Sequence, residues 1–125
     1  MEKQRIAIIG LGRIGSAFLR QILERNAQGL EVVAVAEAHE TPGLQLARER
    51  GVNISSLDAI VAMGKQVDVV FDLTGLPAVR RELREKMGAA GNQHTVIASE
   101  TIARVIWALI SATDLPVIAG RTTGY

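Results

Sequence analysis

Short apolar runs alternate along this chain with longer stretches whose apolar positions recur every three to four residues. Arg5-Ile-Ala-Ile-Ile9 has no polar residue after its first position, as a strand covered on both faces requires. From Arg13 to Asn26, apolar residues fall at Ile14, Ala17, Phe18, Ile22 and Leu23, which predicts a helix. Glu31–Ala36 reads as a second strand. Thr41 then caps a helix, with Pro42 in its first turn and Gly51 closing it. Val52–Ile54 predicts a short third strand, followed by a helix that starts at Ser56 or Asp58 and ends near Gly64. Val67–Leu73 is the fourth strand. Pro77–Met87 is a charged amphipathic helix ended by Gly88 and Gly91. His94–Ala98 is the fifth strand, Ser99–Thr113 a helix, Pro116–Ala119 a short sixth strand, and residues 120–125 a tail.

Strands that alternate with helices predict an α/β fold with parallel pairing and right-handed crossovers. About six strands complete a doubly wound parallel sheet in the order 3-2-1-4-5-6. No repeat, linker or low-complexity stretch interrupts the pattern, so residues 1–125 are expected to form a single domain.

Composition narrows the chemistry. The 125 residues are 48% hydrophobic and 22% charged, with a formal net charge of +1. Such a balance creates no field that would draw the chain to nucleic acid or a membrane surface. The chain has no cysteine, which excludes disulfides, iron–sulfur clusters and thiolate zinc sites. The apolar run Ile6–Ile9 is too short for a signal-peptide core. Ile102–Ile110 is broken by Arg104 and falls short of the roughly 20 residues a membrane span needs. A cytoplasmic protein is the expectation.

The first strand runs directly into Gly10-Leu11-Gly12-Arg13-Ile14-Gly15, and a helix follows. Glycines at this spacing recur by chance, but the strand before and the helix after make the signal specific. Gly10 permits the tight turn, Gly12 lets a diphosphate approach the main chain, and Gly15 lets helix and strand pack closely. The helix N-terminus then offers unpaired N–H groups and partial positive charge. Glu37 ends the second strand, about 20 residues on, where a carboxylate binds the hydroxyls of an adenosine ribose and repels a 2′-phosphate. These residues predict a Rossmann-type domain that binds NAD in preference to NADP. The competing reading of Glu37 is a solvated strand end. Arg13 is either a phosphate contact or a surface residue. A nucleoside-triphosphate loop would need Gly-Lys-Ser/Thr, which is absent. A methyltransferase loop usually follows an acidic residue, where Ile8 and Ile9 stand here.

In an open α/β sheet the ligand lies beyond the carboxyl ends of the strands, at the switch point. Thr74 and Gly75, after the fourth strand, are candidates to line the crevice beside the second phosphate and the nicotinamide ribose. Ser99 and Glu100, after the fifth, fall at the nicotinamide end, where Ser99 serves equally well as a helix cap. His94 falls at the opposite end of the sheet and His39 near the adenine side, so neither reads as a catalyst. Asp68 and Asp72 flank the fourth strand as local hydrogen-bonding groups. The mixed charges from Arg80 to Lys86 read as a solvated helix face.

The glycine turn from Ile6 to Gly15 resembles those of three groups: the glucose–fructose oxidoreductase/inositol dehydrogenase family, homoserine dehydrogenase and dihydrodipicolinate reductase. Val67-Asp-Val-Val-Phe-Asp-Leu-Thr-Gly75 is similar to the fourth-strand segment of homoserine dehydrogenase. Ala90–Ala103 is similar to the fifth-strand segment of the oxidoreductase family, which typically reads Gly-Lys-His, a strand, then Glu-Lys-Pro. Glu100 falls on that family's glutamate, Thr101 on its catalytic lysine and Ile102 on its proline. In these families an α+β substrate domain follows, and none is legible within these 125 residues. The resemblance implies a cofactor domain without complete catalytic machinery, acting as a nucleotide sensor or regulatory subunit. The alternative is an NAD-dependent oxidoreductase whose substrate site is completed by another subunit or a missing C-terminal domain. The helix around Trp107, apolar on most sides, is either buried in the monomer or an interface for a second copy.

Overall fold

The computed structural model describes residues 2–110. Four parallel strands form one sheet: β1 (Gln4–Ile9), β2 (Leu30–Ala36), β3 (Val69–Asp72) and β4 (Val96–Ala98), in the order β2-β1-β3-β4. The helices between them are α1 (Arg13–Leu23), α2 (Pro42–Glu49), α3 (Leu57–Ala62), α4 (Pro77–Ala89) and α5 (Glu100–Ile110). After β1 the chain winds to one side through α1 and β2, then crosses back to place β3 on the other flank of β1. The crevice that this reversal opens lies between the carboxyl ends of β1 and β3, where Ile9 pairs with Asp72.

Each strand face has its own core. Ile6, Ile8 and Phe71 join Leu11, Ile14, Phe18, Leu19, Ile22 and Trp107 under α1, α2 and α5. The rings of Phe18 and Phe71 meet with centroids 4.7 Å apart. Ala7, Ile9 and Val70 face Ile60, Leu83 and Met87 of α3 and α4. Burial on both faces is the reason β1 reads as an unbroken apolar run rather than an alternating one.

The caps behave as the sequence predicts. Thr41 Oγ1 accepts the Leu44 N–H at 3.1 Å with Pro42 in the first turn, and Ser56 Oγ accepts the Ala59 N–H at 3.1 Å. The strand count does not follow the expectation of six. Val52–Ile54 makes a single parallel bridge, Val35 to Ile54, through Val35 N–H to Asn53 O (2.9 Å) and Ser55 N–H to Val35 O (2.7 Å). The chain then leaves the sheet because Ser56 caps α3. That bridge sits outside β2, so the described part keeps the expected winding with its outermost member reduced to one contact. The expected sixth strand, Pro116–Ala119, lies outside the described residues. Among the described residues no helix is long and apolar enough to cross a membrane.

Candidate functional site

The three glycines of the first turn carry different structural demands. Gly10 has φ of +96°, and a Cβ there would stand 2.8 Å from Thr74 N and 2.9 Å from Leu73 C. The turn after β3 therefore crosses directly over it, which only glycine permits. A Cβ at Gly15 would lie 1.9 Å from the carbonyl oxygen of Gly10, so α1 rests on the strand end itself. At Gly12 a Cβ would meet nothing within 4 Å. Packing does not require glycine at that position, and the space beside it is open.

Gly12 is also the N-cap of α1, in extended conformation and with no side-chain cap. No acidic residue occupies the first turn. The Ser16 N–H bonds back to Gly12 O at 2.8 Å. The amides of Arg13, Ile14 and Gly15 precede it and point past the helix end, as first-turn amides must. Leu11 and Ile14 are buried in the core, so only their main chain can reach a ligand, while Arg13 is exposed. Ser16 Oγ donates to Leu11 O at 2.8 Å and fixes the turn from beneath. Ser16 also packs against α2, where a Cβ on Gly43 would stand 2.3 Å from Ser16 Oγ. This close approach of α1 and α2 has no signature in the local pattern.

Glu37 follows β2 at the mouth of the turn. Its Oε1 accepts the Leu11 N–H at 2.7 Å and its Oε2 the His39 N–H at 2.8 Å. The carboxylate is thus held in place against the glycine turn, with lone pairs left for further donors. On the other side of the crevice, Asp72 Oδ1 accepts from Thr74 N–H (3.1 Å) and Thr74 Oγ1–H (2.7 Å). Thr74 Oγ1 in turn accepts the Leu76 N–H at 3.1 Å. Gly75 turns the chain with φ of +70°. Glu100 is buried at the start of α5 with Arg104 Nη2 3.3 Å away, and the Ser99 carbonyl accepts from the Ala103 N–H. Thr101 is exposed in the same turn.

The fold thus brings Gly10–Gly15, Glu37, Thr74 and Gly75 to one edge of the sheet, with Ser99 and Glu100 one strand further along. His94 lies at the opposite edge. There Asp68 accepts from the Arg5 N–H (2.8 Å) and Arg5 Nε (3.3 Å), and His94 Nε2 stands 2.7 Å from Asp68 Oδ1. The Arg5 N–H above all, then His94 and the Arg5 guanidinium, hold the Asp68 carboxyl well below the usual carboxylate range. No group of three metal-ligating side chains occurs among the described residues.

The family model described as "Homoserine dehydrogenase, NAD binding domain" matches residues 10–103. The chain belongs to this family. It is 46% identical over 79 residues to an acetaldehyde dehydrogenase of Desulfitobacterium hafniense, across 59% of this chain and 26% of that protein. The chain spans about a quarter of the length of the acetaldehyde dehydrogenases it matches. A homoserine dehydrogenase from S. aureus superposes with a TM-score of 0.59 at 16% identity, across 85% of this chain and 29% of that one. A scyllo-inositol dehydrogenase from Lactobacillus casei, solved with NAD(H) and scyllo-inositol, gives 0.59 at 19%, across 86% and 34%. At these identities the two structures establish a shared Rossmann-type fold. The family match establishes an NAD-binding domain of dehydrogenase type.

Proposed function

We propose that this chain binds NAD(H) at the carboxyl edge between β1 and β3, as a nucleotide-binding module without a complete catalytic set of its own. The observation that carries the reading is the bare first turn of α1, uncapped and free of acidic residues, beside the open space at Gly12. A diphosphate fits there against the amides of Arg13, Ile14 and Gly15 and the positive end of the helix. Glu37, already fixed by Leu11 and His39, faces the ribose hydroxyls and selects NAD over NADP. Thr74 and Gly75 border the nicotinamide ribose, and Ser99 and Glu100 the nicotinamide end. When bound, the cofactor supplies hydride chemistry, and the chain's part is to hold and orient it. Thr101 offers a hydroxyl where the resembling oxidoreductases keep an ammonium group, which argues against self-sufficient catalysis and for sensing the NAD(H) pool.

Calorimetric titration with NAD, NADH, NADP and NADPH tests the reading. The unphosphorylated pair should bind more tightly, and Glu37→Arg should shift preference toward the phosphorylated pair. Absence of binding by all four up to about 1 mM overturns it.

A second reading is favoured by the extent of the match. The matched part makes up only about a quarter of those relatives, so they hold more chain than the stretch shared here. In that reading the chain is the cofactor part of an oxidoreductase whose substrate site another subunit or domain completes. The α5 face formed by Ile102, Val105 and Leu109, exposed while Trp107 turns into the core, would receive it or a second copy. An open reading frame that continues past Tyr125 into an α+β domain would decide for this second reading.

A further inference from the structure

Among the described residues, the buried carboxylate of Asp72 has no counter-charge. Asp72 is 0% exposed at the carboxyl end of β3, paired in register with Ile9 of β1. Its Oδ1 is held by Thr74 alone, and its Oδ2, also buried, has no hydrogen-bond partner. No cation pairs with it among the described residues. Glu100, beside the next strand, is equally buried, but Arg104 stands 3.3 Å from it. The crevice is therefore bipolar. The glycine turn presents the positive end of α1, and the β3 end presents an uncompensated negative group in a region screened from water.

A dinucleotide has two oxidation states that differ in charge at one place. The adenosine, both riboses and the diphosphate are common to both. The oxidised nicotinamide ring carries a positive charge, and the reduced ring is neutral. Repulsion between Asp72 and the diphosphate is the same for both forms and cancels in the ratio of their affinities. Attraction between Asp72 and the ring does not cancel. A buried charge without a partner is costly, and arrival of a cation relieves that cost.

We propose that Asp72 is a specificity-determining residue that makes this site prefer the oxidised over the reduced dinucleotide. The proposal rests on the dinucleotide reading above and deepens it by assigning the redox state to which the module responds. Thr74, tied to Asp72 through both its N–H and its hydroxyl, fixes the carboxyl group at the end of β3 before any ligand arrives.

The test is a pair of titrations of the full 125-residue chain, NAD by calorimetry and NADH by its own fluorescence. Wild type should bind NAD more tightly by on the order of tenfold, the size of one partly shielded unit-charge interaction. Asp72→Asn keeps the side-chain shape and an oxygen acceptor for Thr74, and should bring the ratio close to one. Circular dichroism melting shows whether that variant folds. Equal affinities, or a preference for NADH, in the wild-type chain overturn the proposal without recourse to a variant. A variant that weakens both ligands equally and preserves the ratio also overturns it, because Asp72 would then act only on the turn. If neither form binds wild type, the dinucleotide reading itself falls.

Discussion

The two edges of the sheet treat their polar groups in opposite ways. At the amino edge, Asp68 gathers donors from Arg5 and His94, and Thr95 Oγ1 donates to Val67 O at 2.7 Å. These bonds tie the starts of β1, β3 and β4 together, and each group finds its partner within the chain. At the carboxyl edge, the first turn of α1 has no cap, Gly12 faces open space, and Asp72 keeps a buried oxygen unpaired. Buried or oriented polar groups without partners cost stability, so a fold that keeps them at one edge only marks that edge for a ligand. The amino edge is where stability is held.

The comparison can be tested most severely at the carboxyl edge, where one glycine is structural and its neighbour is not. Gly15→Ala drives a methyl group into the Gly10 carbonyl and should cost about 3 kcal/mol or more, measured by urea denaturation. A change below about 1 kcal/mol would mean that α1 can lift off the strand freely. Gly12→Val should lower NAD affinity by on the order of a hundredfold by filling the space the diphosphate needs. Its stability should remain within about 1 kcal/mol of wild type, since none of the described residues apart from its chain neighbours comes within 4 Å of a Cβ at that position. If that variant unfolds while binding survives in the folded fraction, the assignment of roles to the two glycines is reversed.

The amino edge should respond in the opposite manner. Asp68→Asn removes charge from a site with several donors and should cost about 1–2 kcal/mol near neutral pH while leaving NAD affinity unchanged. The sign with pH follows from the depressed folded-state value. Stabilisation by Asp68 is complete above the unfolded carboxyl range, about pH 4, and is lost as pH falls through the folded value. Wild type should therefore lose stability more steeply below about pH 4 than Asp68→Asn does, which denaturation at a series of pH values will show. The smallest effect is expected at Lys86, which pairs on the surface with Asp58 and Glu82. Lys86→Gln should leave the melting temperature unchanged within error, because exposed pairs are screened by water and salt.

Much of the carboxyl edge is legible in the sequence. Gly10, Gly12 and Gly15 stand at a spacing set by one turn, and Glu37 follows at the end of the next strand, so a local pattern suffices to find them. The Thr41 cap was legible for the same reason, whereas the pattern left Ser56 and Asp58 open as the start of α3 and the fold chose Ser56. Asp68 and His94 were not read as partners, because 26 residues and a helix separate them. Trp107, read as facing either the core or a second copy, turns into the core with Ile6, Phe18 and Phe71, and Leu109 is left 80% exposed. The third strand shrank to one bridge because the Ser56 cap competes for the same few residues.

The order of strands and helices, the glycine turn and its acidic companion were determined by the sequence alone, because each depends on residues that are neighbours along the chain or repeat at a helix or strand period. Tertiary structure decided which glycine is indispensable to packing, which carboxylate is neutralised and which is left bare. Those properties depend on what the fold places against a residue from elsewhere in the chain. Gly15 meets the end of β1, Asp68 meets Arg5 and His94, and Asp72 meets no cation among the described residues.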